Sequence, residues 1–289
     1  MRPDGELIGG VSMGATHRHL LVIYPFMGLK PEAAPLFWKL IDVCQKACTS
    51  DQSTLSVVHD KRSPHDATAT LTKLAQEGVN LIPSRGVDTC QNWLDGWGWV
   101  LERAADPDAS HRAVLLPGDL QDLADEAQFF ERLEKFVHNE ERPFLVGDYG
   151  STKPQSTKEL IDIYGVFPLV ANWFPEAWRA IRSLRIKKPR SEFLNIQTVE
   201  LAKLLKKRVF AYEQTLNMLI VQWHACWKEA NEDFRDADRR WKSRVGVLRL
   251  GNLSDEASAR DYRVPSIRSS GQSACSGTCG GISMTGSPR

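Results

Sequence analysis

Asp119, Gln121 and Asp122 stand in a short polar turn directly after an apolar run, in the segment Leu115-Leu116-Pro117-Gly118-Asp119-Leu120-Gln121-Asp122. Two carboxylates and an amide are thus delivered to the end of an expected strand, just before an expected helix. That is where open α/β sheets bind ligands. The structural alternative for Asp119 is to cap the helix expected near Leu123, since an aspartate oxygen there accepts an otherwise unpaired backbone N–H. Similar placements recur upstream. Ser56-Val57-Val58-His59-Asp60 ends an apolar run on a carboxylate, and Asn80-Leu81-Ile82-Pro83-Ser84-Arg85-Gly86 ends one on a cation beside a glycine. Asp60 could equally be a turn acid, and Arg85 a solvated loop cation.

Residues at strand ends need a sheet to hold them, and the pattern supplies one. A chain of 289 residues with 42% hydrophobic composition can bury a sizeable core. Apolar β-branched runs at 19–25, 54–59, 79–83, 112–116 and 143–147 alternate with helical periodicities at 34–48, 66–77, 88–105, 123–137 and 155–164. This alternation predicts βαβ units and a largely parallel sheet. The second half turns helical, with helices expected over 168–184, 197–207 and a long 209–242. The expected organisation is an N-terminal extension over 1–18, a catalytic domain over 19–208, a helical C-terminal extension over 209–252 and a disordered tail over 253–289, which is too polar to offset its ordering entropy.

Formal net charge is +1, so no global field draws the chain to nucleic acid or anionic membranes, and any anion site must be local. Arg182, Arg185, Lys187, Lys188 and Arg190 form one such local run, suited to a phosphorylated acceptor or anionic headgroups and otherwise a solvated face. The six cysteines are scattered and fit free thiols in a reducing compartment better than a zinc site. The start lacks a secretory pattern; the expected location is the cytoplasm, with membrane contact at most peripheral. His17 and His19 read as an exposed feature ahead of the first strand. Val209, Phe210, Leu216, Leu219, Ile220, Trp223 and Trp227 recur at helical spacing. They form either a packed core face or an apolar groove for a lipid chain.

Taken in order, these segments resemble inverting family 2 glycosyltransferases of the GT-A fold, particularly those acting on polyprenyl phosphates. Asp119-Leu120-Gln121-Asp122 matches four positions of that family's Asp-Ala-Asp-Leu-Gln-Asp segment, with Pro117 standing where the first Asp would be. Ser56 to Asp60 resembles its Val-Val-Asp-Asp strand end, Pro143-Phe144-Leu145-Val146-Gly147-Asp148-Tyr149 its Val-Gly-Ser-Arg strand, and Pro189-Arg190-Ser191-Glu192-Phe193-Leu194 its acceptor border. The resemblance spans about residues 19 to 215. It implies a GT-A-like nucleotide-diphospho-sugar transferase fold: a mostly parallel sheet between helices, with a helical C-terminal extension.

It also implies a function, namely metal-assisted, inverting transfer of a sugar from a nucleoside diphosphate sugar to an acceptor, phosphorylated or lipid-linked. Tyr24, Pro25, Asp60, Arg85, Gly118, Asp119, Gln121 and Ser191 would bind substrate, with Asp60 at the nucleotide and Arg85 at the diphosphate. Asp119 and Asp122 would hold Mg²⁺ or Mn²⁺, hard cations that take oxygen ligands and share them with substrate phosphates. An already ionised acceptor oxygen needs no base; a hydroxyl would lose its proton to Glu192 or Glu213. No nucleic acid partner is implied. The departures at His59, Pro117 and Tyr149 sustain an alternative, a non-catalytic protein of this fold that binds a nucleotide sugar or a protein partner. A nucleotidyltransferase would need a Gly-rich loop after the first strand, and Tyr24-Pro25-Phe26-Met27-Gly28-Leu29-Lys30 is not one.

Overall fold

The computed structural model describes residues 16–25, 28–29, 31–48, 53–60, 65–85, 89–104, 110–121, 123–152, 160–206 and 214–253. Seven strands, β1 His17–Ile23, β2 Thr54–Asp60, β3 Asn80–Ser84, β4 His111–Pro117, β5 Phe144–Ser151, β6 Leu194–Gln197 and β7 Val245–Leu253, form one sheet. Their order is β3-β2-β1-β4-β6-β5-β7. β6 is antiparallel to β4 and β5, and the other pairings are parallel. From β1 the chain first builds outward to β2 and β3, then returns to place β4 on the other side of β1. That reversal opens a crevice at the carboxyl ends of β1 and β4.

Between the strands run α1 Ala34–Ala47, α2 His65–Gln76, α3 Thr89–Arg103 and α4 Glu126–His138. A π-helical turn, Asp162–Val166, leads into α5 Phe167–Trp173 and α6 Pro175–Ser183, followed by α7 Thr198–Leu205, α8 Gln214–Glu229 and α9 Phe234–Arg244. The helices cover both faces, which is why the central strands are apolar at nearly every position rather than at alternate ones. Leu20, Val22, Val114 and Leu116 pack with Phe37 and Leu40 of α1 and Phe129 and Leu133 of α4. Their neighbours Leu21, Ile23, Ala113 and Leu115 belong to the opposite layer, with Trp93 and Trp97 of α3 and Leu219 and Trp223 of α8. Each buried Val, Leu, Ile or Phe among them contributes roughly 1.5–3 kcal/mol. On α3, a Cβ at Gly96 would lie 2.9 Å from Val58 Cγ2, so the missing side chain lets this helix lie close on the sheet.

The second half departs from the sequence expectation in its helix breaks and in its strands. The expected helix over 168–184 is divided at Phe174, because a residue preceding proline is steered away from helical torsions. The expected helix over 209–242 is divided between α8 and α9, where Asn231 and Glu232 adopt positive φ and Asp233 caps α9 by accepting the Asp236 N–H at 2.8 Å. Its Leu and Trp face is core: Leu216, Leu219 and Ile220 are fully buried and Trp223 nearly so, which removes the apolar groove. Val209 and Phe210 lie outside the described residues. Beyond the helices, Val245 to Leu253 continues as β7, parallel to β5, and Leu253 is buried. Residues 254–289 lie outside the described residues.

At the amino edge of the sheet the buried polar groups are stapled in place. Arg112 of β4 and Asn195 of β6, both inaccessible, share a hydrogen bond from Nε to Oδ1 at 2.6 Å, and Arg112 Nη2 donates to the Arg142 carbonyl at 2.8 Å. The Asn195 amide donates to the Phe136 carbonyl at 2.7 Å, tying β6 to the end of α4. Burial pulls the Arg112 guanidinium down to about 10.

His17 and His19 lie inside β1, because the strand starts opposite His111 of β4, two residues earlier than expected. His19 is buried, 3.0 Å from Thr54 Oγ1 and 3.1 Å from His111 Nδ1 through its two ring nitrogens. Burial first, then the neighbouring His111, His17 and Arg103, pull its pKa down to about 4. An unfolded chain protonates this imidazole near pH ~6.5. The folded state therefore holds stability fully above that pH and loses it as pH falls toward 4, by at most roughly 3 kcal/mol. Melting temperatures should fall steeply from pH 7 to about 4.5, and His19→Gln should flatten that slope. Identical slopes in the two proteins would assign the acid sensitivity elsewhere.

Candidate functional site

The carboxyl ends of four adjacent strands converge on the crevice. β1 leads into Tyr24 and Pro25, β2 ends at Asp60, β3 leads into Arg85, and β4 leads into Gly118 and Asp119. The Tyr24 N–H donates to the Val58 carbonyl at 2.9 Å, and its ring is buried edge-on against Phe37. Gly28, at φ +80°, closes a turn by donating to the Pro25 carbonyl at 3.0 Å. Gly118 donates to the Ile23 carbonyl at 2.9 Å, and a Cβ there would sit 2.5 Å from that same oxygen. Only glycine lets β4 stay fastened to β1 up to the root of Asp119. Asp119 and Gln121 are half-buried beyond this closure, and Asp60 is almost wholly buried, with Ser84 opposite in the β2–β3 register. Asp122 lies outside the described residues.

Arg85 is exposed yet held. Its Nε and Nη2 donate to Oδ1 of Asp95 on α3 at 3.0 and 2.7 Å, and its backbone N–H donates to Oδ2 at 2.8 Å. Ser84 and Gln91 donate to the same carboxylate at 3.0 and 2.6 Å. Burial pushes Asp95 upward, but the hydrogen bonds from Arg85, Gln91 and Ser84 prevail and hold its carboxyl below the usual range, while the same pairing raises Arg85. The result is a guanidinium aimed by a rigid acid. Sequence reading found Arg85 but missed Asp95, whose position ten residues on gave a signal only once α3 is known to pack beside β3.

A second acid organises the other half of this edge. Asp148 of β5 is inaccessible; its Oδ1 accepts the backbone N–H groups of Lys187 and Lys188 at 2.9 and 2.8 Å, and Arg249 of β7 pairs with Oδ2. Burial raises its pKa, opposed by those donors. The basic segment is thereby fixed to the sheet. Beside it opens a cleft of about 470 Å³ lined by Tyr149, Ser151, Asp162, Phe167, Lys187 and Lys188, of which the buried Asp162 is ion-paired to Arg190. Because β6 runs antiparallel, Ser191 and Glu192 enter it at this same edge. Ser191 is fully buried, donating to the Gly147 carbonyl at 2.5 Å and accepting the Phe193 N–H at 3.2 Å. Its hydroxyl shapes the bend into β6. Glu192 is half-buried, and Glu213 lies outside the described residues.

Tyr24, Pro25, Asp60, Arg85, Gly118, Asp119, Gln121 and Glu192 thus share one edge of one sheet, drawn there from β1, β2, β3, β4 and β6. Among the described residues no group of three His, Cys, Asp or Glu side chains is placed to hold a metal ion. A cation held by Asp119 and Gln121 would have to take its remaining ligands from phosphate and water, as Mg²⁺ commonly does.

No family model matches the chain, and no curated protein does. Solved structures do. A mycobacterial protein is similar over 82% of this chain and 66% of its own, with 13% identity and a TM-score of 0.52. The glucosyl-3-phosphoglycerate synthase of Mycobacterium tuberculosis, in complex with phosphoglyceric acid, is similar over 82% of this chain and 71% of its own, with 13% identity and a TM-score of 0.51. This chain therefore spans about two thirds of the length of these proteins. At such identity the likeness defines the fold alone, a mostly parallel α/β sheet between helices, of the GT-A kind.

The closure at Gly118 has a measurable counterpart elsewhere in the chain. Gly118→Ala should cost at least about 1–3 kcal/mol, because the atom it meets is backbone. Gly98→Ala on α3, where a Cβ meets nothing within 4 Å, should instead stabilise by about 0.5–1 kcal/mol. Chemical denaturation of the two variants measures both signs; a neutral Gly118→Ala would mean that β1 and β4 can part at this end.

Proposed function

We propose that this chain transfers a sugar from a nucleoside diphosphate sugar to a small anionic acceptor. The observation that carries the reading is the placement of Asp60, Arg85 and Asp119, from three different strand ends, along the edge where the chain leaves the paired strands β1 and β4 toward opposite sides of the sheet. In this reading the nucleoside lies along the ends of β2 and β3, against Asp60, and Arg85, steadied by Asp95, meets the diphosphate. Asp119, with Gln121 in support, would hold a divalent cation that neutralises the diphosphate as it departs. The acceptor takes the far side, beneath Lys187 and Lys188. The phosphoglyceric acid bound by the mycobacterial synthase supports an acidic acceptor.

Transfer then forms a bond from an acceptor oxygen to the anomeric carbon and breaks the bond from that carbon to the diphosphate. Inversion follows if the two oxygens lie on opposite faces of the sugar. For an acceptor hydroxyl, Glu192 at the entry to β6 is the described carboxylate positioned to receive the proton. A carboxylate or phosphate oxygen would attack without a base. The polyprenyl-phosphate version of the reading has less support, since the apolar face of α8 is consumed by the core.

Pro117, buried where the resembled family has its first acidic residue, favours one second reading, a protein of this fold that binds a nucleotide sugar without turning it over. Calorimetry and product analysis with UDP-, GDP- and dTDP-sugars and Mn²⁺ separate the two. Binding with turnover is expected for one donor, and Asp119→Asn should lower that turnover by on the order of 100-fold or more. The same variant should weaken Mn²⁺–nucleoside diphosphate binding, and Asp60→Asn should weaken nucleoside diphosphate binding without metal. Binding without turnover supports the second reading; unchanged affinities in both variants would move the nucleotide elsewhere.

A further inference from the structure

Of the seven large hydrophobic side chains that stand exposed among the described residues, six fall in the stretch from 160 to 173: Leu160, Ile161, Ile163, Tyr164, Leu169 and Trp173. Tyr164 is 78% exposed and Trp173 60%. Elsewhere among the described residues only Val199 is exposed in this way, so the concentration is a property of this segment. Its inner side is already committed, through the buried Val170 and through Asp162 paired with Arg190. Large apolar side chains left exposed together in one segment are a mark of an interaction site.

Charge selects the partner. Residues 160–190 contain six bases against two acids, leaving 31 bases against 34 acids in the rest of the chain. Of the two acids, Asp162 is buried and ion-paired, and Glu176 opens α6. Arg182, Arg185 and Lys187 are exposed on the segment just beyond, and Lys187 lines the same cleft as Ile163 and Phe167. A second copy of this chain docking through the same face would bring two such cationic segments together. An anionic bilayer presents the opposite charge.

We propose that residues 160–173 dock this protein peripherally on an anionic lipid surface, with Tyr164 and Trp173 at headgroup depth and the Arg182–Lys187 segment over lipid phosphates. Aromatic side chains with one polar end suit that interface, and each cation near it adds attraction that salt screens. Among the described residues no helix is long and apolar enough to cross a membrane, so the described part of the chain would attach without spanning. The proposal shares Lys187 with the acceptor reading but does not rest on sugar transfer, and its test needs no donor.

Co-sedimentation of the full chain with vesicles is that test. We expect binding to phosphatidylcholine vesicles containing about 30% phosphatidylserine at about 0.05 M salt, and at least tenfold weaker binding, roughly, to phosphatidylcholine alone or at about 0.5 M salt. The double variants Tyr164→Ser/Trp173→Ser and Arg182→Gln/Lys187→Gln should each reduce binding about tenfold while the melting temperature stays put, since these side chains are exposed. Failure to bind, or binding indifferent to phosphatidylserine, would overturn the proposal. So would a dimer in light scattering that Trp173→Ser dissociates, because the face would then belong to a second copy.

Discussion

The parallel pairing of β1 with β4 is the constraint on which the rest of this molecule hangs. Seven consecutive residue pairs, from His17 opposite His111 to Ile23 opposite Pro117, fix the two strands to one another, and Gly118 extends the ladder by one more bond. Because the two strands are far apart in sequence, everything between them must fold as a detour: β2, β3 and their helices leave β1 on one side and return. The chain beyond β4 is then obliged to build on the other side. The crevice is a consequence of that route, and the residues lining it face one another because the sheet reverses there, not because any of them attract.

Two buried or half-buried acids, neither of them a candidate for chemistry, position the cations on this edge. Asp95 collects five hydrogen bonds, three of them from Arg85, and Asp148 collects the amides of Lys187 and Lys188 together with Arg249. A flexible surface cation contributes little to binding an anion, since it must be immobilised when the anion arrives. Here Arg85 is held by three hydrogen bonds to Asp95, and the basic segment is held through the backbone N–H groups of Lys187 and Lys188 at Asp148. Lys187 is exposed and Lys188 buried, so the two halves of the edge are organised in different ways.

The first half of the chain was legible because its strands are short apolar runs, each ended by a turn residue, and nothing competes with that pattern. Asp60, Arg85 and Asp119 could be placed at strand ends without knowing which strands were neighbours. The second half hid its strands. β6 is four residues, Leu194-Asn195-Ile196-Gln197, too short to show a period, and β7 follows α9 without an intervening turn, so its Val-Gly-Val-Leu-Arg-Leu pattern falls within the helical extension expected over 209–252. The α8–α9 break did leave a trace in Asn231 and in Asp233, a cap residue with an acid three positions on. Asp95 and Asp148 left none, because their partners are assembled by tertiary packing. Ser191 was misleading for the opposite reason: a hydroxyl at a motif position looks available until its burial is seen.

The pairing of Arg112 with Asn195 bears on how the second half of the chain finds its place. A strand as short as β6 forms too few ladder bonds to select its own register, and a slip of one residue would turn its side chains to the wrong faces of the sheet. With the guanidinium waiting on β4, such a slip would also leave a buried cation facing Leu194 or Ile196 instead of an amide oxygen, at a cost of several kcal/mol. The same amide would abandon the carbonyl at the end of α4. One side chain thus checks alignment against two elements at once. The chain carries a form of proofreading at the single point where its sheet changes direction.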